Sequence, residues 1–279
     1  LRTKQRKFCF YLGMRLDKNT YCKARLEGAL PYVAFEDSSQ LYNTETGFDM
    51  VYQENKVFNL KLAAKELNGL LIRPGETFSF SQAIRYADRH TPYKEGLTVV
   101  NGHLTTAPGG GMCQISNLLF WLFLHTPLTI VERHGHASKD FPDPPSNLPT
   151  GVDATISEGW LDLKVKNDTN RTYQIFLSFD SHHLFGRLLC SEEDACLYQI
   201  QNGKISYIRQ DKEIIQLADV IQTAEEGADI GGTGAGGQQR LVKGLGCEVH
   251  AVLILPVPHG NGEGEHQDVQ LLPQGPRDV

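Results

Sequence analysis

Three consecutive glycines, a cysteine and an apolar helical repeat follow one another in this chain, and they constrain its fold more than any other feature. The stretch is Gly109-Gly110-Gly111-Met112-Cys113-Gln114. Apolar residues then recur at i, i+3, i+4, i+7 and i+8, which predicts a helix with a buried face; they are Ile115, Leu118, Leu119, Leu122 and Phe123. We expect a glycine turn that leaves room for another backbone or a substrate and places the thiol of Cys113 in the first helical turn.

A cysteine in this position is suited to nucleophilic chemistry. The unpaired N–H groups and the positive dipole end of a helix favour the thiolate, and so lower the pKa of a thiol there. The structural alternative is a buried cysteine that behaves as a small hydrophobic residue, with glycines that form only a flexible turn. The residues downstream bear on the choice between the two.

Histidines and an acid follow the cysteine in the chain order of several thiol enzymes. Residues 128–131 predict a strand, and Arg133, His134 and His136 come after it. The stretch Gly151-Val152-Asp153 is typical of a turn that enters a second strand. A thiol needs a base, the imidazole needs an acid to fix its tautomer, and N–H groups stabilise the oxyanion. Because many chains of this size contain such an order, catalysis and a structural role both stay open at this point.

Composition, the length of the apolar runs and the spacing of possible metal ligands argue against some classes of function. The chain has 279 residues and a net charge of −6 without a basic block, which argues against a general nucleic-acid binder. The apolar run 118–124 is far too short to span a bilayer. A zinc site formed by Cys113, His134 and His136 lacks the usual ligand spacing, and we expect neither a metal nor another cofactor.

The pattern of elements predicts an α+β fold, mostly antiparallel sheet packed on a central helix that starts at Cys113, with a few peripheral helices. A helix is predicted over 54–69 and a hairpin around Asn101-Gly102; strands are predicted at 70–72, 77–80, 160–166, 173–179 and 184–189. We divide the chain into an amphipathic segment (1–40), a main domain (41–222) and a tail (223–279). The tail is rich in glycine and lacks Phe, Tyr and Trp, so we expect it to be poorly ordered.

The start of the chain combines basic residues with the seven-residue apolar run 8–14. No small-x-small cleavage site follows this run, so we expect a structural segment rather than a signal peptide. The cellular compartment and the oligomeric state stay open.

Several motifs together resemble the VanW family, which is named for an accessory protein of some vancomycin-resistance clusters. The resemblance covers most of residues 40–200; its motifs lie at 53–57, 73–80, 109–117, 124–129, 132–133, 136 and 167–169. The tail after residue 222 departs from the aromatic- and Arg-rich strands with which the family usually ends.

The resemblance implies an L,D-transpeptidase-like acyltransferase that forms a thioester between Cys113 and a peptidoglycan stem peptide. By this resemblance Cys113 is the nucleophile and His136 the general base or acid, with His134 as the alternative and Asp153 as the orienting acid. Substrate-binding roles fall to Gly109, Gly110, Gly111, Gln114 and Arg133, where Gln114 serves the oxyanion and Arg133 a substrate carboxylate.

Two other functions remain as alternatives. One is a non-catalytic accessory protein that binds a peptidoglycan precursor and is linked to glycopeptide resistance. The other is a cytoplasmic thiol amidase or hydrolase, which would use water as the acceptor.

Overall fold

A computed structural model of the chain describes residues 2–100, 103–136, 148–194, 196–210, 213–226 and 248–256. The helices are α1 (Arg2–Leu16), α2 (Met50–Leu67), α3 (Phe80–Ala83) and α4 (Cys113–Leu124). The strands are β1 (Thr20–Tyr21), β2 (Tyr32–Gln40), β3 (Leu71–Ile72), β4 (Glu76–Ser79), β5 (Glu95–Val100), β6 (His103–Pro108), β7 (Thr129–Glu132), β8 (Lys164–Lys166), β9 (Tyr173–Phe179), β10 (His183–Cys190), β11 (Cys196–Gln210), β12 (Glu213–Glu226) and β13 (Glu248–Pro256).

The strands form four sheets in which antiparallel pairing dominates. Two sheets have four strands, in the orders β1–β4–β8–β7 and β2–β10–β9–β3. A third sheet has the order β11–β12–β13, and β5 pairs with β6. In the described part of the chain only β1 and β4 run parallel. The predicted α+β class with mostly antiparallel sheets is confirmed.

Helix α4 lies in the core between the two four-stranded sheets. Phe123 of α4 packs against Phe78 of β4, with ring centroids 5.3 Å apart. On the other side Gly186 of β10 leaves space for α4, because a Cβ there would lie 2.9 Å from Leu122 and 3.0 Å from Leu118. Eight of the twelve residues of α4 are buried, which is typical of a helix at the centre of a domain and confirms the predicted central position of α4.

Most predicted elements are present, with shifted ends. Helix α2 begins at residue 50 rather than 54, because the side chain of Asp49 caps it by accepting a hydrogen bond from the backbone N–H of Val51. The predicted hairpin is formed by β5 and β6, whose pairing runs up to Val100 and His103. Its turn, residues 101–102, lies outside the described residues.

The strand predicted from residue 160 is wrong at its start. Trp160 is 66% exposed and lies in a turn closed by a bridge between Ser157 and Leu161. Gly159 adopts a φ of 87° in this turn, a conformation that glycine accepts at no steric cost. The strand therefore begins only at Lys164.

The two predicted segment boundaries, after residues 40 and 222, lie at the end of one strand and inside another. Residue 40 ends β2, which pairs along its length with β10, and residue 222 lies inside β12. Within the predicted tail, residues 248–256 form β13 and pair with β12, while the Gly-rich residues 227–247 lie outside the described residues. Gln222 of β12 donates hydrogen bonds of 2.8 Å to the carbonyls of Leu124, the last residue of α4, and of Thr126.

None of the helices in the described residues combines the length and the apolar character that a membrane crossing requires.

Candidate functional site

The glycine turn before α4 is shaped by neighbouring backbone. Gly109 and Gly111 adopt φ angles of 81° and 86°, which side chains other than glycine rarely accept. At Gly110 a Cβ would lie 2.1 Å from the carbonyl oxygen of Gly96 in β5. Another strand therefore fills the space at Gly110 that the sequence left open to a backbone or a substrate.

Asn59 of α2 fixes this turn, and sequence reasoning missed it. Its side chain is fully buried and donates to the carbonyls of Lys94, at 2.9 Å, and Gly110, at 3.2 Å. Its side-chain oxygen accepts from the backbone N–H of Lys94 at 2.8 Å. A polar residue between the buried Val57 and Leu60 was the available signal, because a buried amide needs partners.

Two polar side chains of α4 hold residues 153–156 beside Cys113. The hydroxyl of Ser116 donates to the carbonyl of Ala154 at 2.6 Å, and the side chain of Asn117 accepts from the backbone N–H of Ala154 at 2.7 Å. The adjacent Thr155 thereby lies with its hydroxyl 3.6 Å from the Cys113 sulfur. These contacts attach an irregular segment, rather than the predicted strand, to the start of the helix.

The structure brings Cys113, His136 and Asp153 together in one series, in which a hydrogen bond joins His136 to Asp153 and the charge of His136 acts on the Cys113 sulfur. Nδ1 of His136 lies 2.6 Å from Oδ2 of Asp153, and the backbone N–H of His136 donates to the same oxygen at 2.6 Å. The imidazole also lies close enough to the Cys113 sulfur for each group to shift the pKa of the other. Since Asp153 binds Nδ1, Nε2 is the ring nitrogen that remains for the sulfur. Cys113 is half-buried, and the side chain of His136 is 33% exposed.

The electrostatics of this series favour a thiolate paired with an imidazolium. Burial by itself raises the pKa of the Cys113 thiol, but the interaction of the sulfur with the positively charged His136 outweighs it and lowers the pKa below the usual 9.0. Burial opposes protonation of His136, yet its hydrogen bond to Asp153 and its interaction with the Cys113 sulfur prevail and raise its pKa to about 10. The hydroxyl of Thr155, 3.6 Å from the sulfur, and the backbone N–H of Ile156 also lower the pKa of the thiol.

Arg133 supports Asp153 from inside the protein. Its side chain is only 4% exposed, and its guanidinium bonds Oδ1 of Asp153 and the carbonyls of Gly151 and Asp153. The guanidinium also lies 5.2 Å from the ring centroid of Phe120. A substrate carboxylate would have to displace these contacts, so the geometry assigns Arg133 to the positioning of Asp153 rather than to the expected substrate contact.

His134 and Gln114 are engaged elsewhere. Nε2 of His134 lies 3.0 Å from Glu132, which also pairs with Lys164 at 2.7 Å; the structure does not join His134 to Cys113. The side-chain N–H₂ of Gln114 donates to Ser39 at 2.7 Å and to the carbonyl of residue 40 at 2.8 Å. Both of its donors thus connect α4 to β2, and neither is left for an oxyanion.

The backbone N–H of Cys113 is better placed as an oxyanion donor than the side chain of Gln114. In the residues that the structure describes, no backbone carbonyl accepts from this N–H group, whereas the next one, of Gln114, donates to Gly111 at 3.2 Å. The first N–H groups of a helix carry its positive dipole end. Across the described ranges no group of three or more His, Cys, Asp or Glu side chains could hold a metal ion.

We expect the lowered pKa of the Cys113 thiol to be detectable in the pH dependence of its alkylation by iodoacetamide. The reactive fraction rises as pH passes upward through the thiol pKa, so a lowered pKa gives a midpoint below 9.0. His136→Ala removes the stabilising charge and leaves the burial penalty, and should therefore move the midpoint upward. Peptide mass mapping measures alkylation at Cys113 separately from the exposed Cys9. The matched variant His134→Ala should leave the midpoint unchanged; an equal shift in both variants would contradict the assignment of His136.

Comparisons with known proteins support the family resemblance that the sequence motifs indicate. The family model described as VanW like protein matches residues 55–189, a range that contains Cys113, His136 and Asp153. The chain is 60% identical over 220 residues to the vancomycin B-type resistance protein VanW of Enterococcus faecalis (strain ATCC 700802 / V583). The aligned region covers 79% of this chain and 80% of that relative. The chain is 35% identical over 118 residues to the uncharacterized protein YoaR of Bacillus subtilis (strain 168), 42% of this chain and 37% of YoaR. No solved structure matches the chain significantly.

Since the first relative is this similar over most of both chains, and the family model covers the candidate site, the chain belongs to the VanW family.

Proposed function

We propose that this chain is a cysteine acyltransferase of the L,D-transpeptidase type that acts on peptidoglycan stem peptides. The observation that carries the proposal is the series of Cys113, His136 and Asp153 at the start of α4, in which Asp153 is hydrogen-bonded to the imidazole and His136 lowers the pKa of the Cys113 thiol. The E. faecalis relative is named a vancomycin resistance protein, which supports a role of this chain in vancomycin resistance as well.

In the first half-reaction the Cys113 thiolate attacks the carbonyl carbon after the third stem residue. The backbone N–H of Cys113 stabilises the oxyanion that forms. As the carbon–nitrogen bond breaks, the imidazolium of His136 gives its proton to the leaving amine, and the terminal D-amino acid departs. The acyl group is then held as a thioester on Cys113.

In the second half-reaction an amine of another stem peptide attacks the thioester. His136, now neutral, takes the proton from this amine, a new amide bond forms, and the thiolate and imidazolium are restored. Asp153 keeps the imidazole oriented with Nε2 toward the sulfur throughout. Arg133 balances the charge of Asp153 from the buried side.

The test is intact-mass spectrometry of the protein after incubation with a disaccharide-tetrapeptide. We expect a mass increase equal to the donor minus its terminal amino acid, located on Cys113 by peptide mapping. Addition of an amine acceptor should discharge the adduct and give a cross-linked product. The matched variant Cys9→Ser should form the same adduct, because Cys9 is an exposed residue of α1.

Each alternative has its own outcome in this experiment. Release of a free tripeptide in the presence of acceptor would indicate a thiol hydrolase. Donor binding without an adduct, in wild type and in Cys113→Ala alike, would indicate a precursor-binding accessory protein. Either result contradicts the proposed acyl transfer.

A further inference from the structure

Lys56 lies against the glycine turn that precedes the candidate nucleophile, although it belongs to a different helix. It is part of α2, and its side-chain carbons cross Gly111, where a Cβ would lie 2.2 Å from Cγ and 2.7 Å from Cδ of Lys56. Only Met112 separates Gly111 from Cys113, so the Cα atoms of Gly111 and Cys113 are at most about 7.6 Å apart. Asn59, three positions further along α2, is on the same helix face and bonds the neighbouring Gly110.

The charge of Lys56 has no counterpart in the described part of the chain. Lys7, Lys164 and Lys166 each pair with a carboxylate, whereas no ion pair involves Lys56 among the described residues. Its stem is half-buried, and this burial lowers the pKa of its amine to about 8. The ammonium has thus lost part of its hydration without gaining a protein anion, a cost that a bound anion would offset.

We propose that Lys56 binds the free carboxylate at the C-terminal end of the acyl donor. The inference rests on the proposed function, and names the group by which the donor is recognised. In such a donor the scissile carbonyl and the terminal carboxylate belong to adjacent residues, one residue or about 3.6 Å apart. A carbonyl placed over Cys113 therefore directs the carboxylate to within reach of a cation on the adjoining turn. Lys56 thereby selects peptides that end one residue after the bond to be broken.

The experiment compares a tetrapeptide donor with its C-terminal carboxamide, which has the same shape without the charge. Acylation rates are measured by time-resolved intact mass, and binding to Cys113→Ala protein by calorimetry. We expect wild type to prefer the carboxylate donor at least about tenfold. Lys56→Met keeps the stem that packs on Gly111 and should reduce this preference to about twofold or less. Lys56→Arg should retain part of it.

Lys61→Met is the matched control, because Lys61 is exposed on the same helix; its carboxylate preference should equal that of wild type. Should Lys56→Met fold poorly, as judged by its thermal unfolding, Lys56→Gln replaces it. An unchanged preference in the Lys56 variant, while wild type forms the adduct, overturns the role of Lys56 and leaves the proposed function standing. Absence of an adduct in wild type contradicts the proposed function. In that case, tighter binding of the carboxylate peptide than of the carboxamide peptide, if it depends on Lys56, still supports carboxylate binding by Lys56. Equal binding of the two peptides, or no binding of either, overturns it.

Discussion

Replacing Cys113 with alanine is expected to reduce donor turnover by at least about ten-thousandfold and to eliminate the acyl adduct. The reason is that no other group in the series of Cys113, His136 and Asp153 can form the thioester, and loss of the nucleophile removes the covalent route altogether. Folding should hardly change, because the substitution is small and the cysteine is only half-buried. The measurement is product formation from a tetrapeptide donor, alongside the free energy of unfolding, which we expect to stay within about 1 kcal/mol of wild type.

Two further variants sharpen this result. Cys113→Ser should be as inactive as the alanine variant, since a hydroxyl is not ionised by the charge of His136 as a thiol is. Cys9→Ala removes an exposed thiol from α1 and should retain full turnover. Turnover that persists in Cys113→Ala would show that another group carries the acyl chain.

Asp153→Asn is expected to lower turnover about a thousandfold and to destabilise the fold by about 3 kcal/mol. An amide cannot accept from the ring N–H and backbone N–H of His136 and from Arg133 together, so its own N–H₂ group must face a donor. The imidazole then loses the partner that fixes its tautomer. Arg133, which is 4% exposed, loses the negative charge of Asp153 with which it pairs in the wild type.

Measurements of unfolding by denaturant at several pH values test the second effect. The pKa of Asp153 is below its ordinary 3.8, because its hydrogen bonds to His136 and the charge of Arg133 outweigh burial. Its contribution to stability is therefore present above pH 3.8 and is lost as the pH falls through the lowered native value. The difference between wild type and variant should be large at pH 7 and shrink in strong acid. Asp168→Asn, at an exposed pair with Lys166, is the matched control and should change stability by less than about 0.5 kcal/mol.

Local sequence patterns were sufficient to predict the frame that carries the site. The apolar repeat after Cys113 predicts α4 because a buried helix must repeat its apolar residues at this spacing. The Asn101-Gly102 pair likewise predicts the hairpin of β5 and β6, since its conformational demands are met within a few residues. The order of Cys113, His134, His136 and Asp153 predicted a candidate set, the family resemblance favoured His136 over His134, and the fold places His136 rather than His134 against Asp153.

The support around these residues could not be predicted in the same way. The sequence around Arg133 is equally compatible with a residue that binds a substrate carboxylate and with an internal partner of Asp153. Only the burial of its side chain distinguishes these two roles. Asp153 was expected on a strand, but its position depends on the hydrogen bonds of Ser116 and Asn117 to Ala154, nearly forty residues away. The contact of Lys56 with Gly111 is equally remote in sequence. Such pairings depend on the packing of whole elements, which periodicity within one segment does not report.

The contact of Gln222 with the end of α4 bears on where the working unit of this protein stops. The family match ends at residue 189, yet the carboxamide of Gln222 satisfies the carbonyls of Leu124 and Thr126 from β12. A recombinant fragment limited to the matched range would contain every residue of the candidate site. It would lack the hydrogen bonds of Gln222 to the C-terminal end of α4, the helix that begins at Cys113. Fragments for biochemical work should accordingly extend through residue 226.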